Sequence, residues 1–496
     1  MLQTLLLISL LLPLLFIFFK PKSKSNTNSP PKSYPLIGHY LSVYTNRHRL
    51  IHWTSDAVRN SPTSTFLLRR PFGQTRVITS NPAVVQYILK TKFSSYQKGD
   101  IFRTTLFDLL GDGIFNVDGD AWKFQRQLSS HEFNTKSLKH FVEKVVDAEL
   151  NERLIPMLTN ATVNNTVLDL QDILQRFTFD NVCKIAFGYD PENLTPSLPQ
   201  AKFACAFEDA VRICSERFRT ITPLVWKLKS LLNMGSEKRL KQAVLEIREF
   251  ANKIASEKRQ ERDNKSSIQS VDLLSRFLSS GHSDEKFVTD MVISFILAGR
   301  DSTSAALTWF FWLVFKNPEV ESEIVKEVNE KSDSPVFDEV KEMVYTHAAL
   351  CESMRLYPPV PVDTKAASED DVLPDGTVVK KGMMISYHPY AMGRLEKLWG
   401  KDWMEFRPER WLEKDETTDN LRLKTIDPYM YPVFQAGPRI CLGKDMAFLQ
   451  MKRVVAGVLR QFKVVPVVDE GSEPVFVAAL TSKMKGGFLV KFKERK

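Results

Sequence analysis

The chain contains the run Phe434-Gln435-Ala436-Gly437-Pro438-Arg439-Ile440-Cys441-Leu442-Gly443, followed from Lys444 to Phe462 by apolar residues at helical spacing. This pattern predicts a loop feeding into a helix, with a cysteine at the junction. Backbone N–H groups and the helix dipole at such a junction favour a thiolate. Gly437 permits a tight turn, Gly443 removes a side chain next to the cysteine, and Arg439 offers a charge-assisted contact to a carboxylate. The other cysteines, Cys183, Cys205, Cys214 and Cys351, show no paired spacing, and an odd total in a long chain argues against a disulfide framework. All five read as thiols in a reducing compartment, one of them a candidate ligand.

Upstream, Asp284 to Lys316 is the clearest helical stretch. Phe287, Met291, Phe295, Leu297, Ala298, Ala306, Trp309 and Val314 place apolar groups around most of its circumference, and Asn317-Pro318 stops it. Roughly thirty residues at about 1.5 Å each give a helix long enough to cross a domain. Inside it stands Ala298-Gly299-Arg300-Asp301-Ser302-Thr303, a small pair beside an acid and two hydroxyls; a glycine there costs helix stability and needs a reason. Trp122 and Arg126, at i, i+4, put an indole N–H and a guanidinium on one helix face. Glu352 and Arg355, at i, i+3 ahead of Leu356-Tyr357-Pro358-Pro359, make an ion pair that spacing alone leaves either surface or buried. Two short regions, 65–79 and 372–387, look β-like, and 257–270 reads as a loop or frayed helix. The expected fold class is therefore mainly α with minor β sheets.

Composition sets the frame around these motifs. With 43% hydrophobic and 26% charged residues in 496, the chain is an ordinary globular protein able to enclose a ligand, which excludes disorder and a polytopic membrane protein. Of the nine surplus positive charges, Lys20, Lys22, Lys24 and Lys32 precede any acidic residue. No basic block with interleaved aromatics points to nucleic acid; the mild surplus suits a basic face for an acidic protein partner. Residues 1–20 read as a single transmembrane anchor, since no Lys or Arg precedes the apolar run and no cleavage pattern follows it. Positive charges after the span place the body on the cytoplasmic face. Pro30, Pro31 and Pro35 make residues 21–35 a semi-rigid hinge, leaving residues 36–496 as one large domain.

The cysteine loop resembles that of the cytochrome P450 haem-thiolate monooxygenases, and the resemblance extends over essentially the whole chain. It implies Cys441 as iron ligand, haem b as cofactor, and Phe434, Gly437, Arg439, Gly443, Trp122 and Arg126 as haem-binding residues. It also implies that Glu352 and Arg355 are buried with Arg410 and hold the cysteine loop in shape. The long helix resembles the family's oxygen-binding helix, where Ala298-Gly299 leaves space for dioxygen and Asp301, Ser302 and Thr303 relay protons. Here the sequence departs from the family, because Ser302 stands where threonine is usual, and the lost β-branch loosens the rotamer of that hydroxyl.

More narrowly, Phe115-Asn116-Val117-Asp118-Gly119, Ser130-His131-Glu132-Phe133 and Tyr390-Ala391-Met392-Gly393-Arg394 resemble the plant fatty-acid ω-hydroxylase branch. This implies O2, a fatty-acid-like substrate, electrons from NADPH passed by a membrane-bound cytochrome reductase, contact with membrane lipid, and residence in the endoplasmic reticulum membrane. Hydroxylating a strong primary C–H bond needs a narrow apolar channel, for which Phe102, Phe107, Phe115, Val117, Phe295 and Val360 are candidate linings. Amino-acid-conjugated oxylipins and sterol side chains are sister substrates. A haem-thiolate hydroperoxide isomerase or dehydratase, and a non-catalytic haem or lipid binder, are rival classes; the Asp-hydroxyl pair argues against the first.

Overall fold

The computed structural model describes residues 31–194, 202–220, 222–264, 272–279, 284–415, 420–467 and 472–495. The expected anchor, 1–20, and residues 21–30 of the expected hinge lie outside the described residues. Among the described residues, no helix is long and apolar enough to cross a membrane.

The architecture is mainly helical with small sheets, as expected. β1 (Thr65–Arg69) and β2 (Thr75–Thr79) form an antiparallel hairpin with Leu68 opposite Arg76. They join β3 (Tyr96–Gln97), β4 (Asp363–Ala367) and β5 (Met384–Tyr387) in the order β1-β2-β5-β4-β3, with β2 parallel to β5. Side chains alternate across this sheet. Val77, Ile385 and Tyr387 pack into a hydrophobic cluster with Val84, Val85 and Ile88, while Leu68, Arg76, Ile78, Thr364 and Ser386 face a large cavity. The expected β region 65–79 becomes the hairpin, whereas β4 lies outside both expected regions. A C-terminal sheet pairs Phe462–Pro466 with Leu489–Glu494.

The main helices are α1 (Gly99–Leu110), α2 (Gly119–Ser130), α3 (Leu170–Phe187), α4 (Lys202–Arg217), α5 (Pro223–Leu231), α6 (Gly235–Asn264), α7 (Glu285–Ile296), α8 (Ser302–Lys316), α9 (Val344–Leu356) and α10 (Lys444–Gln461), and all but α5 and α6 line the cavity. The expected long helix is α7 and α8 joined through a π-helical turn, Leu297–Asp301. The Asp284 side chain caps it by accepting from Phe287 N at 3.2 Å. Val288 to Leu297 pack with α3, α4 and α6, and Ala306 to Val314 pack with α9 and α10. One helix thus runs through both main hydrophobic clusters and fixes their relative position. Helix α6 continues to Asn264 through most of the stretch expected to be loop or frayed helix; residues 265–270 lie outside the described residues.

Candidate active site

The cavity has a volume of about 610 Å³ and is lined by α2, the α7–α8 junction, the sheet face and the Cys441 loop. Its floor is the cysteine loop. Cys441 N donates to Phe434 O at 2.8 Å and Ile440 N to Gly437 O at 3.1 Å, and Phe434 packs on Phe448 of α10 with ring centroids 5.2 Å apart. Gly437 has φ +65°, and a β-carbon there would lie 2.2 Å from Leu89 O, so conformation and space both require glycine. Cys441 keeps accessible surface because it faces the cavity. Burial raises its thiol pKa, opposed by the Gly443 N–H and the Arg126 charge.

A cationic rim stands above the cysteine. Trp122 is buried, with the guanidinium of Arg439 4.5 Å and that of Arg126 5.8 Å from its ring. Arg439 donates to Val117 O at 3.0 Å and Asp118 Oδ1 at 2.6 Å. Lys98 Nζ lies 3.7 Å from Asp363 Oδ1, and burial brings its pKa down to about 7. Arg126 has no carboxylate within salt-bridge reach among the described residues. Three cations and an indole around a cysteine-floored space fit an iron porphyrin with two carboxylates. Lys98, between β3 and α1, and Asp363, at the start of β4, are far apart in sequence, and no local motif announces them.

The long helix separates residues that the sequence groups together. Ala298, Ser302 and Thr303 line the cavity. Ser302 Oγ donates to Ala298 O at 2.6 Å, while the Thr303 hydroxyl makes no hydrogen bond among the described residues. Asp301 does not line the cavity: it is 3% exposed, 3.3 Å from Arg300 NH1, and Arg300 NH2 lies 3.6 Å from Glu208 Oε1. The acid of the expected relay therefore points away from the two hydroxyls' cavity and pairs with its neighbour. Gly299 has a packing reason, since a β-carbon there would stand 2.6 Å from Val182 Cγ2 of α3.

Of the expected channel residues, Phe102, Phe115, Phe295 and Val360 line the cavity. Phe107 does not; it is 42% exposed, with the Lys286 ammonium 5.3 Å from its ring. Val117 also does not, its contribution being the carbonyl that Arg439 binds.

Glu352 and Arg355 are buried, as the resemblance implied. Arg355 Nε and NH2 reach the two Glu352 oxygens at 2.7 and 2.8 Å, and neither side chain is exposed. Arg410 Nε donates to Glu352 at 3.2 Å and Trp411 Nε1 at 2.8 Å. The Trp411 ring meets Tyr431 at 4.6 Å, three residues before Phe434. The ion pair thus braces the entry to the cysteine loop.

A helical domain whose longest helix passes over a cysteine-floored cavity ringed by cations has the architecture of a haem-thiolate oxygenase. The family model described as Cytochrome P450 matches residues 29–491. The chain is 63% identical over 471 residues to Cytochrome P450 94A1 of Vicia sativa, covering 95% of this chain and 92% of that protein. It is 61% identical to Cytochrome P450 94A2 of Vicia sativa, covering 97% and 96%, and 47% identical to Cytochrome P450 94B1 of Arabidopsis thaliana, covering 97% and 95%. The chain belongs to the cytochrome P450 family, within its 94 group. It is a monooxygenase whose family implies haem, dioxygen, an organic substrate and electrons from a redox partner.

Proposed function

We propose that this monooxygenase hydroxylates the terminal carbon of long-chain fatty acids, using O2 and electrons from NADPH delivered by a membrane-bound reductase. The observation that carries this reading is the cavity wall between the sheet and the long helix, where Phe102, Leu106, Phe115, Phe295 and Val360 enclose an apolar path to Ala298 and Cys441. Haem, when bound, supplies the iron at which dioxygen is activated. Cys441 is the residue placed to ligate it, through the loop of Phe434, Gly437 and Gly443. Trp122, Arg126 and Arg439 are placed to hold its carboxylates.

Ser302 and Thr303 hold protons at their Oγ atoms inside the cavity, and Asp301 supplies them after turning from Arg300. The apolar walls exclude water and confine the chain, so that its end rather than its weaker internal C–H bonds meets the reacting centre.

We place the body on the cytoplasmic face of the endoplasmic reticulum membrane behind an anchor in residues 1–20, with residues 36–496 as the catalytic domain. An exposed apolar surface supports membrane contact: Leu36, Phe72, Leu224 and Leu231 are each at least 71% exposed. His39 N donates to Arg69 O at 2.8 Å and the Arg70 guanidinium to Thr220 O at 2.5 Å, which ties together the segments that carry Leu36, Phe72 and Leu224.

The test is mass spectrometry of products from fatty acids, amino-acid-conjugated oxylipins and sterols, in membranes containing the reductase and NADPH. ω-Hydroxy acids are expected. Product only from conjugates or sterols, or turnover of hydroperoxides without NADPH, overturns the reading.

A further inference from the structure

Of the residues that the sheet turns to the cavity, Leu68, Arg76, Ile78, Thr364 and Ser386, Arg76 alone is charged. Arg76 of β2 stands opposite Leu68 of β1 and Met384 of β5, two residues before Ile78 on the same face. A guanidinium on such a wall needs an anionic partner, and no carboxylate lies within salt-bridge reach of Arg76 among the described residues. Its Nε is buried without a hydrogen-bond partner, and its NH2 rests 3.4 Å from the Met384 sulfur. Burial, with Arg70 nearby, brings its pKa down to about 10, so it remains cationic at neutral pH.

The other cations of the cavity divide into two groups. Lys98, Arg126 and Arg439 gather by Trp122 and the cysteine loop, and Asp363, the only acid lining the cavity among the described residues, is bound to Lys98, Lys365 and Tyr387. Arg69, an exposed residue, and Arg70 and Arg219 accompany Arg76. Arg70 donates to Thr220 O at 2.5 Å and Arg219 to Ala478 O at 2.6 Å, so each has a carbonyl partner where Arg76 has none. Arg70 stands two residues before the exposed Phe72, and its partner Thr220 four residues before the exposed Leu224.

We propose that Arg76 is the carboxylate-binding residue of the substrate channel, taking the anionic end of an acyl chain while the chain runs along Leu68, Ile78 and Phe102 toward Ser302. The planar fork of the guanidinium matches a carboxylate and satisfies the donor now left bare. Arg70 adds charge without giving up its carbonyl. The inference rests on the acyl-chain reading above and adds to it the residue that distinguishes an acid from a neutral lipid. A free fatty acid and an amino-acid-conjugated acyl chain present the same carboxylate, and both enter the test.

The experiment compares the wild-type holoenzyme with Arg76→Gln and Arg76→Met on dodecanoic acid, its methyl ester and an N-acyl amino acid. KM, kcat and the dissociation constant from substrate-induced spectral change are read. For the wild-type chain the acids are expected to bind better than the ester. In both variants KM and the dissociation constant for at least one acid rise about tenfold or more, as loss of a charged hydrogen bond implies, with kcat within about twofold and the ester unchanged. Unchanged turnover of the ester shows that the variants fold. If both variants keep the wild-type acid-to-ester ratio for both acids, the carboxylate assignment to Arg76 is overturned while the acyl-chain reading stands. If wild type oxidises none of the three chains, the acyl-chain reading itself fails, and the assignment with it.

Discussion

Gly299 and Val182 are packed so closely that a single added carbon on Gly299 would lie 2.6 Å from Cγ2 and 2.9 Å from Cβ of Val182. The glycine buys the approach of the long helix to α3, beside Thr178, whose hydroxyl donates to Arg300 O at 2.9 Å. Alanine favours a helix by about 1 kcal/mol over glycine, but overpacking costs about 1–3 kcal/mol. Gly299→Ala is therefore expected to lower thermal stability, and adding Val182→Ala to restore at least half the loss. Unaltered stability of the single variant contradicts the contact.

Neither Glu352 nor Arg355 touches solvent, so removing either strands the other in the interior. Glu352→Ala and Arg355→Ala should each destabilise the fold by about 3–5 kcal/mol and reduce the yield of haem-loaded protein. Denaturant unfolding measures the first effect and absorbance per mole the second. Near-normal values for both would deny the bracing role of the pair.

Asp180 provides a pH signature. Desolvation and the neighbouring Glu149 push its carboxyl up to about 8, whereas the ordinary value is 3.8. The folded chain thus holds a proton that the unfolded chain releases. This contribution to stability is complete below about pH 4, falls as pH rises, and is lost above about pH 8. Asp180→Asn keeps an acceptor for Leu194 N, which now donates at 2.9 Å. Relative to wild type it should gain stability from pH 5 to 8.5, by about 1–3 kcal/mol. A constant difference across that range refutes the shift.

The hydroxyls of Ser302 and Thr303 differ in availability, because the first is already bonded to Ala298 O at 2.6 Å. Thr303→Val is expected to consume more reducing equivalents per product than Ser302→Ala, since it removes the hydroxyl that is free to pass a proton. Comparing electrons consumed with product formed decides between them. The reverse order assigns the relay to Ser302.

Cys441→Ala should abolish the thiolate signature of the reduced carbon monoxide spectrum and all product formation. Retention of the wild-type spectrum would mean that another atom binds the iron.

Much of the site is visible in the sequence because its determinants are local. The cysteine loop is ten consecutive residues, and the pairs Trp122 with Arg126 and Glu352 with Arg355 each sit within one helical turn. Where the structure departs from the sequence pattern, the causes are physical. Asp301 and Ser302 adjoin in sequence, but consecutive helical residues point about 100° apart, so the acid turns to Arg300 while the two hydroxyls reach the cavity. Phe107 is an expected channel lining, and α1 turns it outward instead. Arg76 and Lys98 could not be singled out, since an isolated cation in a strand or loop ordinarily faces water. Only the closure of strands distant in sequence, with β2 beside β5 and Lys98 beside Asp363, takes them inside.

The alternation of the sheet leaves the protein two interleaved sets of positions. Leu68, Ile78, Thr364 and Ser386 can drift in size and polarity to suit a different guest, while Val77, Ile385 and Tyr387 on the reverse side stay committed to the interior. Because neither set includes the cysteine loop, appetite for new molecules and capacity for oxygen chemistry can evolve on separate residues, so a lineage of such proteins can diversify its diet without reinventing its fire.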